Sequence, residues 1–241
     1  MTLEAARACS WAVIPAAGVG SRMGTALPKQ YLTLKGKTVI EYSLIRFCQH
    51  PQISGVIIAI ARDDPHWNSL PLRDHPKVRI TFGGAERCHS VLAALRYLAD
   101  LAAPEDWVLV HDAARPCVRR EDLDRLITTL SEHPVGGLLG RPVRDTMKRA
   151  DAKNATIETV DRRDLWHALT PQMFRLRPLT EAIEQALAGG HLVTDEAQAM
   201  ELTGHSPCLV EGHADNIKIT HPEDLTLAEL YLRWQEENAC A

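Results

Sequence analysis

No stretch of this chain is apolar for long enough to cross a membrane, which takes about 20 consecutive apolar residues in a helix. Aromatic residues make up only 5% of the chain, and its five Trp form no platform on which bases of a nucleic acid would stack. Positive charge is not in excess either: 27 Lys and Arg face 31 Asp and Glu, for a net charge of −4. That balance argues against a general binder of nucleic acid or anionic membrane, so any anionic substrate must be met by a local basic pocket. The six cysteines, Cys9, Cys48, Cys88, Cys117, Cys208 and Cys240, contain no C-x-x-C pair. Reduced thiols in a cytoplasmic protein are therefore expected. Ala8 to Val19 imitates a signal segment, but Glu4 offsets Arg7, and Pro15 and Gly18 interrupt the apolar run.

What is present is an ordinary globular composition, 45% hydrophobic and 24% charged over 241 residues. The length suits one large domain, and no repeat or low-complexity linker divides it, so residues 1–241 are read as a single domain. Trp11–Ile14, Gly55–Ile60 and Trp107–Val110 are apolar runs of strand length, and Val78–Phe82, which stops at Gly83-Gly84, reads as a further strand. Between them fall helical stripes: Val39, Ile40, Leu44 and Phe47; Val91, Leu92, Leu95 and Leu98; Leu123, Leu126, Ile127 and Leu130. Strands alternating with helices predict an α/β fold with a mostly parallel sheet and right-handed crossovers. Further on, a helix around Leu179–Leu187, another from Thr194, and short strands at Leu209–Val210 and Ile217–Ile219 are expected. Thr220-His221-Pro222-Glu223 reads as a capping box opening a last helix, with Leu227, Leu230, Tyr231 and Trp234 on one face. The segment 141–164 breaks the pattern, being rich in charge with a turn at Asp151-Ala152-Lys153-Asn154. It predicts a β-hairpin arm projecting from the sheet.

The chemistry centres on Trp11 to Lys29, WAVIPAAGVGSRMGTALPK. A strand runs into Pro15, Ala16, Ala17, Gly18 and Gly20, small residues that let backbone N–H groups approach an anion. Arg22 and Lys29 then add two cations, so the stretch reads as a phosphate-handling loop. The dinucleotide fingerprint is excluded, because Gly18, Gly20 and Gly24 are spaced one residue too far for G-x-G-x-x-G. The P-loop is excluded too: Gly36-Lys37-Thr38 would need a glycine where Tyr31 stands. His111 and His167 fall in no H-x-x-x-H or H-E-x-x-H spacing, and there is no G-x-S-x-G elbow.

Ligands of open α/β sheets bind at the carboxyl ends of strands. Three loops qualify: Ala16–Lys29, Gly83–Ser90 and Asp112–Arg115. Asp112 follows an apolar strand, which puts a carboxylate opposite the glycine loop, and a carboxylate beside phosphates is a natural Mg²⁺ ligand. Gly84 with Ser90 offers backbone room and a hydroxyl for a nucleoside.

Taken together, these residues resemble a known family. Pro15-Ala16-Ala17-Gly18 with Gly20, Arg22-Met23 and Pro28-Lys29 is similar to the signature loop of the sugar- and polyol-phosphate nucleotidyltransferases. Gly83-Gly84 with Arg87 and Ser90, His111 to Pro116, Asp145 to Lys148, Thr170-Pro171-Gln172, Thr194 to Ala197 and Asp215 to Lys218 narrow the resemblance. It is to the 2-C-methyl-D-erythritol 4-phosphate cytidylyltransferases of non-mevalonate isoprenoid synthesis, in order from Trp11 to Trp234.

The resemblance implies a Rossmann-like fold, a homodimer joined by the arm, and CTP with Mg²⁺. It implies that Arg22 and Lys29 neutralise the triphosphate, and that Ala16, Ala17, Gly18, Gly20, Gly84 and Ser90 hold the nucleotide. Asp112, Arg115, Thr146, Arg162, Thr194 and Lys218 would bind the polyol phosphate, Arg162 and Lys218 acting in catalysis. Asp112, and as a secondary helper Asp215, would serve the metal. Ribitol-5-phosphate cytidylyltransferase and an NAD-dependent oxidoreductase are the rival activities.

Overall fold

The structure, a computed structural model, describes residues 8–18 and 27–238. In chain order its elements are β1 (Ser10–Pro15), β2 (Thr33–Leu34), β3 (Lys37–Thr38), α1 (Val39–Cys48), β4 (Ile53–Ile60) and β5 (Val78–Phe82). There follow α2 (Arg87–Ala99), β6 (Trp107–Val110), α3 (Arg120–Leu130), β7 (Gly136–Pro142), β8 (Met147–Ala150) and β9 (Thr156–Val160). The chain closes with β10 (Trp166–Arg175), α4 (Leu176–Ala188), α5 (Glu196–Leu202), β11 (Cys208–Glu211) and α6 (Pro222–Asn238).

Seven strands form one sheet in the order β11-β7-β10-β6-β1-β4-β5. β1 runs parallel to β4 and β6, β4 to β5, and β11 to β7. Only β10 is reversed, antiparallel to both β6 and β7. The apolar runs read as strands because both faces of the sheet are covered. Val56, Ile58 and Ile60 of β4 belong to the core layer under α1, while Ile57 and Ala59 belong to the opposite layer under α2; farther along the sheet α3 and α4 cover β10 in those two layers. The predicted mostly parallel α/β sheet is the one observed.

The chain leaves β1 to build β4 and β5 on one side, then returns to place β6 on the other. The carboxyl ends of β1 and β6 therefore flank the point where strand order reverses, the position at which such sheets bind ligands. The glycine loop leaves one of these ends, and His111-Asp112 the other.

Several sequence expectations need correction. Ile217–Ile219 is no strand: the segment is irregular, tied to the Asp112 loop by Ile219 N–H donating to the Ala114 carbonyl at 2.9 Å. The last helix begins at Pro222, but its capping acid is Asp224, whose Oδ2 accepts from the N–H groups of Thr220 and His221. Its buried residues are Ala228 and Leu232, whereas Leu227, Leu230 and Trp234 are exposed. Trp234 lies under the Arg119 guanidinium instead, 4.9 Å from ring centroid to Cζ. Finally, β10 is a strand with no clear sequence signal, because Pro171 interrupts it. The sheet accommodates that proline at a register break between Ala168 and Gln172.

The arm is a separate two-stranded ribbon. β8 and β9 pair antiparallel, Met147 opposite Val160 and Arg149 opposite Glu158. Asp151 Oδ1 accepts from the N–H groups of Lys153 and Ala155, closing the turn. The segment 144–164 is exposed almost throughout, including the apolar Ile157 at 62%. The cysteines of the described residues are all free thiols, and no helix among those residues is long and apolar enough to cross a membrane.

Candidate active site

A cavity of about 330 Å³ opens at the strand-order reversal. Its walls are Pro15–Gly18 after β1, Gly84–Arg87 and Ser90 at the start of α2, Asp112–Ala114 after β6, Lys29 and Gln30, and Lys218 with Thr220. The cavity thus gathers eight expected site residues from across the chain: Ala16, Ala17, Gly18, Lys29, Gly84, Ser90, Asp112 and Lys218. Gly20 and Arg22 lie outside the described residues.

The walls are held by side chains that sequence reasoning overlooked. Gln30 Nε2 donates to the carbonyls of Ala16 and Gly18, at 2.8 and 2.9 Å, and so fixes the backbone where it leaves β1. Gln30 is invisible as a site residue because its partners are backbone atoms. Ser90 Oγ accepts from Gly84 N–H at 3.2 Å, bracing the second loop. Gly83 is needed where these two loops meet, since a Cβ there would lie 2.6 Å from both Ala17 Cβ and Ser90 Oγ.

The third wall is a closed hydrogen-bond circuit. Asp112 N–H donates to Thr170 Oγ1, the hydroxyl faces His111 Nδ1 at 2.9 Å, and His111 Nε2 lies 3.0 Å from the Arg115 carbonyl. A carbonyl only accepts, so the proton sits on Nε2 and Nδ1 accepts from Thr170. Full burial drives His111 down to about 4, against the weaker pull of the Arg115 carbonyl and Asp112. The imidazole is neutral at physiological pH and serves to shape the loop. Unfolded, the same group titrates near 6.5, so the fold binds fewer protons between those values. Stability should fall by roughly 3 kcal/mol as pH drops from about 6.5 to about 4, then level off. Chemical denaturation at pH 7 and pH 4.5 checks this: His111→Gln should lose less on acidification than the parent chain.

Asp112 is the electrostatic centre. Its Oδ1 accepts from Arg87 Nε at 2.9 Å, and its Oδ2 is shared by Lys218 Nζ at 2.9 Å and Arg115 Nε at 3.4 Å. Burial opposes its ionisation, but Arg87, Lys218 and Arg115 prevail and hold the carboxyl well below the usual range. Arg87 continues outward, its Nη1 and Nη2 gripping the two oxygens of Glu196 at 2.6 and 3.0 Å. Burial pushes the Glu196 carboxyl up, and the bidentate guanidinium opposes that shift. Neither Arg87 nor Glu196 carried a role in the sequence reading, although both fall inside quoted motifs. Their pairing spans 109 residues and has no local signature.

The remaining expected residues lie apart from this cavity. Arg115 lines an adjoining space of about 320 Å³ with Arg141, His167, Asn216 and Lys218, the last bordering both. Thr194 is exposed, bonding Gln198 ahead of α5. Thr146 and Arg162 stand on the exposed arm, where Arg162 Nη1 donates to the Arg144 carbonyl. Asp215 is buried, its Oδ2 accepting from Arg119 and Gln235, and it lines neither cavity.

Among the described residues no three His, Cys, Asp or Glu side chains converge as a metal cage. A magnesium ion does not require one, since it takes one or two carboxylates and completes its shell with phosphate oxygens and water. Asp112 at the cavity wall fits that demand.

A mostly parallel sheet with a small-residue loop, two cavity-lining lysines and one buried aspartate at its strand reversal is the architecture of a nucleotidyltransferase. The profile of the family described as 2-C-methyl-D-erythritol 4-phosphate cytidylyltransferase (IspD) matches residues 10–234, and the chain belongs to that family. The enzyme of that name from Vibrio vulnificus (strain CMCP6) is 53% identical over 226 residues, 94% of this chain and 95% of the relative. Its Vibrio cholerae counterpart (serotype O1, strain ATCC 39315 / El Tor Inaba N16961) is 54% identical over 95% of this chain and 98% of its own. Among solved structures, that of the Francisella tularensis enzyme superposes with a TM-score of 0.81 at 36% identity, covering 92% of this chain and 99% of that one.

Proposed function

We propose that this enzyme transfers the cytidylyl group of CTP to 2-C-methyl-D-erythritol 4-phosphate, releasing pyrophosphate, in non-mevalonate isoprenoid precursor synthesis. The observation that carries the reading is the cavity itself, whose wall brings Lys29 and Lys218 together with the start of the glycine loop and the ionised Asp112 that Lys218 pairs with. In the reaction a phosphate oxygen of the polyol phosphate forms a bond to the α-phosphorus of CTP, and the bond from that phosphorus to the β-phosphate bridge breaks. A phosphate monoester has a second pKa near 6, so its oxygen is already mostly ionised and needs no general base. The barrier is the approach of two anions, which positioning and neutralising charge overcome.

Ala16, Ala17, Gly18, Gly20, Gly84 and Ser90 hold the nucleotide, and Lys29 with Arg22 neutralises its triphosphate. Lys218 and Arg115 draw the second phosphate alongside, with Thr194 supporting the polyol. Asp112 and the triphosphate would hold Mg²⁺, which would supply further charge neutralisation there; Asp215, bonded to Arg119 and Gln235 away from the cavity, would be at most a remote support.

The chain acts as one domain, residues 1–241, in a cytoplasmic homodimer joined by the arm. A two-stranded ribbon is at best marginally stable in water, so an exposed hairpin bearing Met147 and Ile157 calls for a surface to dock on. Docked on a second copy, it brings Thr146 and Arg162 to that copy's cavity. Ile157→Asp is expected to shift the protein to monomer in sedimentation experiments and to lower turnover with it.

Pyrophosphate release, measured with several nucleoside triphosphates crossed with phosphorylated polyols, tests the assignment. Release confined to CTP with 2-C-methyl-D-erythritol 4-phosphate is expected. Release only with ribitol 5-phosphate would transfer the chain to that activity, and turnover of a nicotinamide cofactor would make it an oxidoreductase.

A further inference from the structure

Arg87 borders the cavity yet does not present its fork to it. An arginine beside an anion site ordinarily offers paired N–H groups to phosphate. Here the Nη1 and Nη2 donors are both committed to Glu196, and only Nε is turned inward, to Asp112. Glu196 is 1% exposed and is not part of the cavity wall.

Glu196 is also unusually well fixed. It is the first residue of α5, whose N-cap Asp195 accepts from Gln198 N–H at 2.9 Å. Gln172 on β10 ties that turn to the sheet from both ends of its amide. Its Nε2 donates to Asp195 Oδ2 at 2.9 Å, and its Oε1 accepts from Ala197 N–H at 2.7 Å. β10 lies beside β6, the strand that ends at Asp112. A rigid line of polar contacts therefore runs from the sheet through Glu196 and Arg87 to the carboxylate at the centre of the cavity.

We propose that Glu196 is a positioning residue for the transfer, acting through Arg87 to aim the Asp112 carboxylate and, with it, the Lys218 ammonium. The inference rests on the nucleotidyl-transfer reading above. With Glu196 ionised, the Arg87 fork is neutralised and held away from the triphosphate. Asp112 is then left with Oδ2 turned to Lys218 and Arg115. Without the charge on Glu196, Arg87 would swing toward the triphosphate, and Asp112 would lose the bond that orients it.

Steady-state kinetics on the full chain with CTP, 2-C-methyl-D-erythritol 4-phosphate and magnesium test this, using Glu196→Gln, Arg87→Gln and the double variant. Glu196→Gln should lower kcat roughly ten- to hundredfold, as loss of an outer support of a metal-binding group does. The KM for CTP should stay level or fall, while the KM for the polyol phosphate rises. The double variant should be no worse than Arg87→Gln alone, because both changes cut the same line. Unchanged kcat in folded Glu196→Gln, an equal rise in both KM values, or additive losses would each overturn the proposal. If Glu196→Gln is not recovered folded, Glu196→Asp keeps the charge but shortens the reach, and the same readouts apply to it. Wild-type turnover in the same series separates the two ideas. No pyrophosphate from the wild type overturns both, whereas normal wild-type release with normal Glu196→Gln release overturns only this one.

Discussion

Lys29→Ala should lose about two or more decades of turnover at saturating CTP, the scale on which removing one transition-state donor acts. Lys29 sits in a short 3-10 turn directly after Pro28, between the glycine loop and the segment carrying Lys218. Its Nζ donates to the Ile219 carbonyl at 2.8 Å, so the ammonium is aimed before any ligand arrives. That preorganisation is why the loss should fall mainly on kcat. Charge on the α-phosphoryl oxygens grows toward the transition state, and a fixed cation gains more from it than from the ground-state triphosphate. Single-turnover measurements check the point, and a mutant within a few-fold of the parent chain would remove Lys29 from the chemistry. Arg22→Ala carries the same expectation from the sequence.

Asp112→Asn should damage both stability and turnover. The amide keeps the shape of the side chain but leaves Arg87, Arg115 and Lys218 converging with no anion between them. Breaking a buried pair by removing one partner costs about 3–5 kcal/mol, and the partly solvated Lys218 places this case near the lower end. The pH dependence has a definite sign. A carboxylate whose folded pKa is depressed contributes its stability above the unfolded value near 3.9, and loses it only as pH falls through the lower folded value. Denaturation should therefore show the same stability difference between Asp112→Asn and the parent chain at pH 7 and at pH 5. A difference that vanished by pH 5 would mean the cations do not hold Asp112 ionised.

The sheet was legible because its central strands are buried on both faces, leaving uninterrupted runs such as Gly55–Ile60. The glycine loop and Asp112 were legible as residue types at strand ends, where the fold class puts ligands, whereas Lys218, on an irregular segment, was reached only through the family resemblance. What escaped has long-range causes. The reversed strand β10 hides behind Pro171, whose acceptance depends on a register break that only the neighbouring strand β7 defines. The exposed face of α6 was misjudged because Trp234 finds Arg119, 115 positions away, as a partner on the surface. Gln30 and Glu196 act on backbone or on another side chain rather than on a ligand, so their polar character had no local reason attached to it.

The whole mechanism depends on where the triphosphate sits. A crystal structure of the enzyme with CTP and magnesium should place the triphosphate along Ala16–Gly18, with phosphate oxygens within hydrogen-bonding distance of Lys29 Nζ. It should also place the ion between phosphate oxygens and Asp112. A triphosphate seated instead in the space lined by Arg141 and His167, out of reach of Lys29, would contradict it.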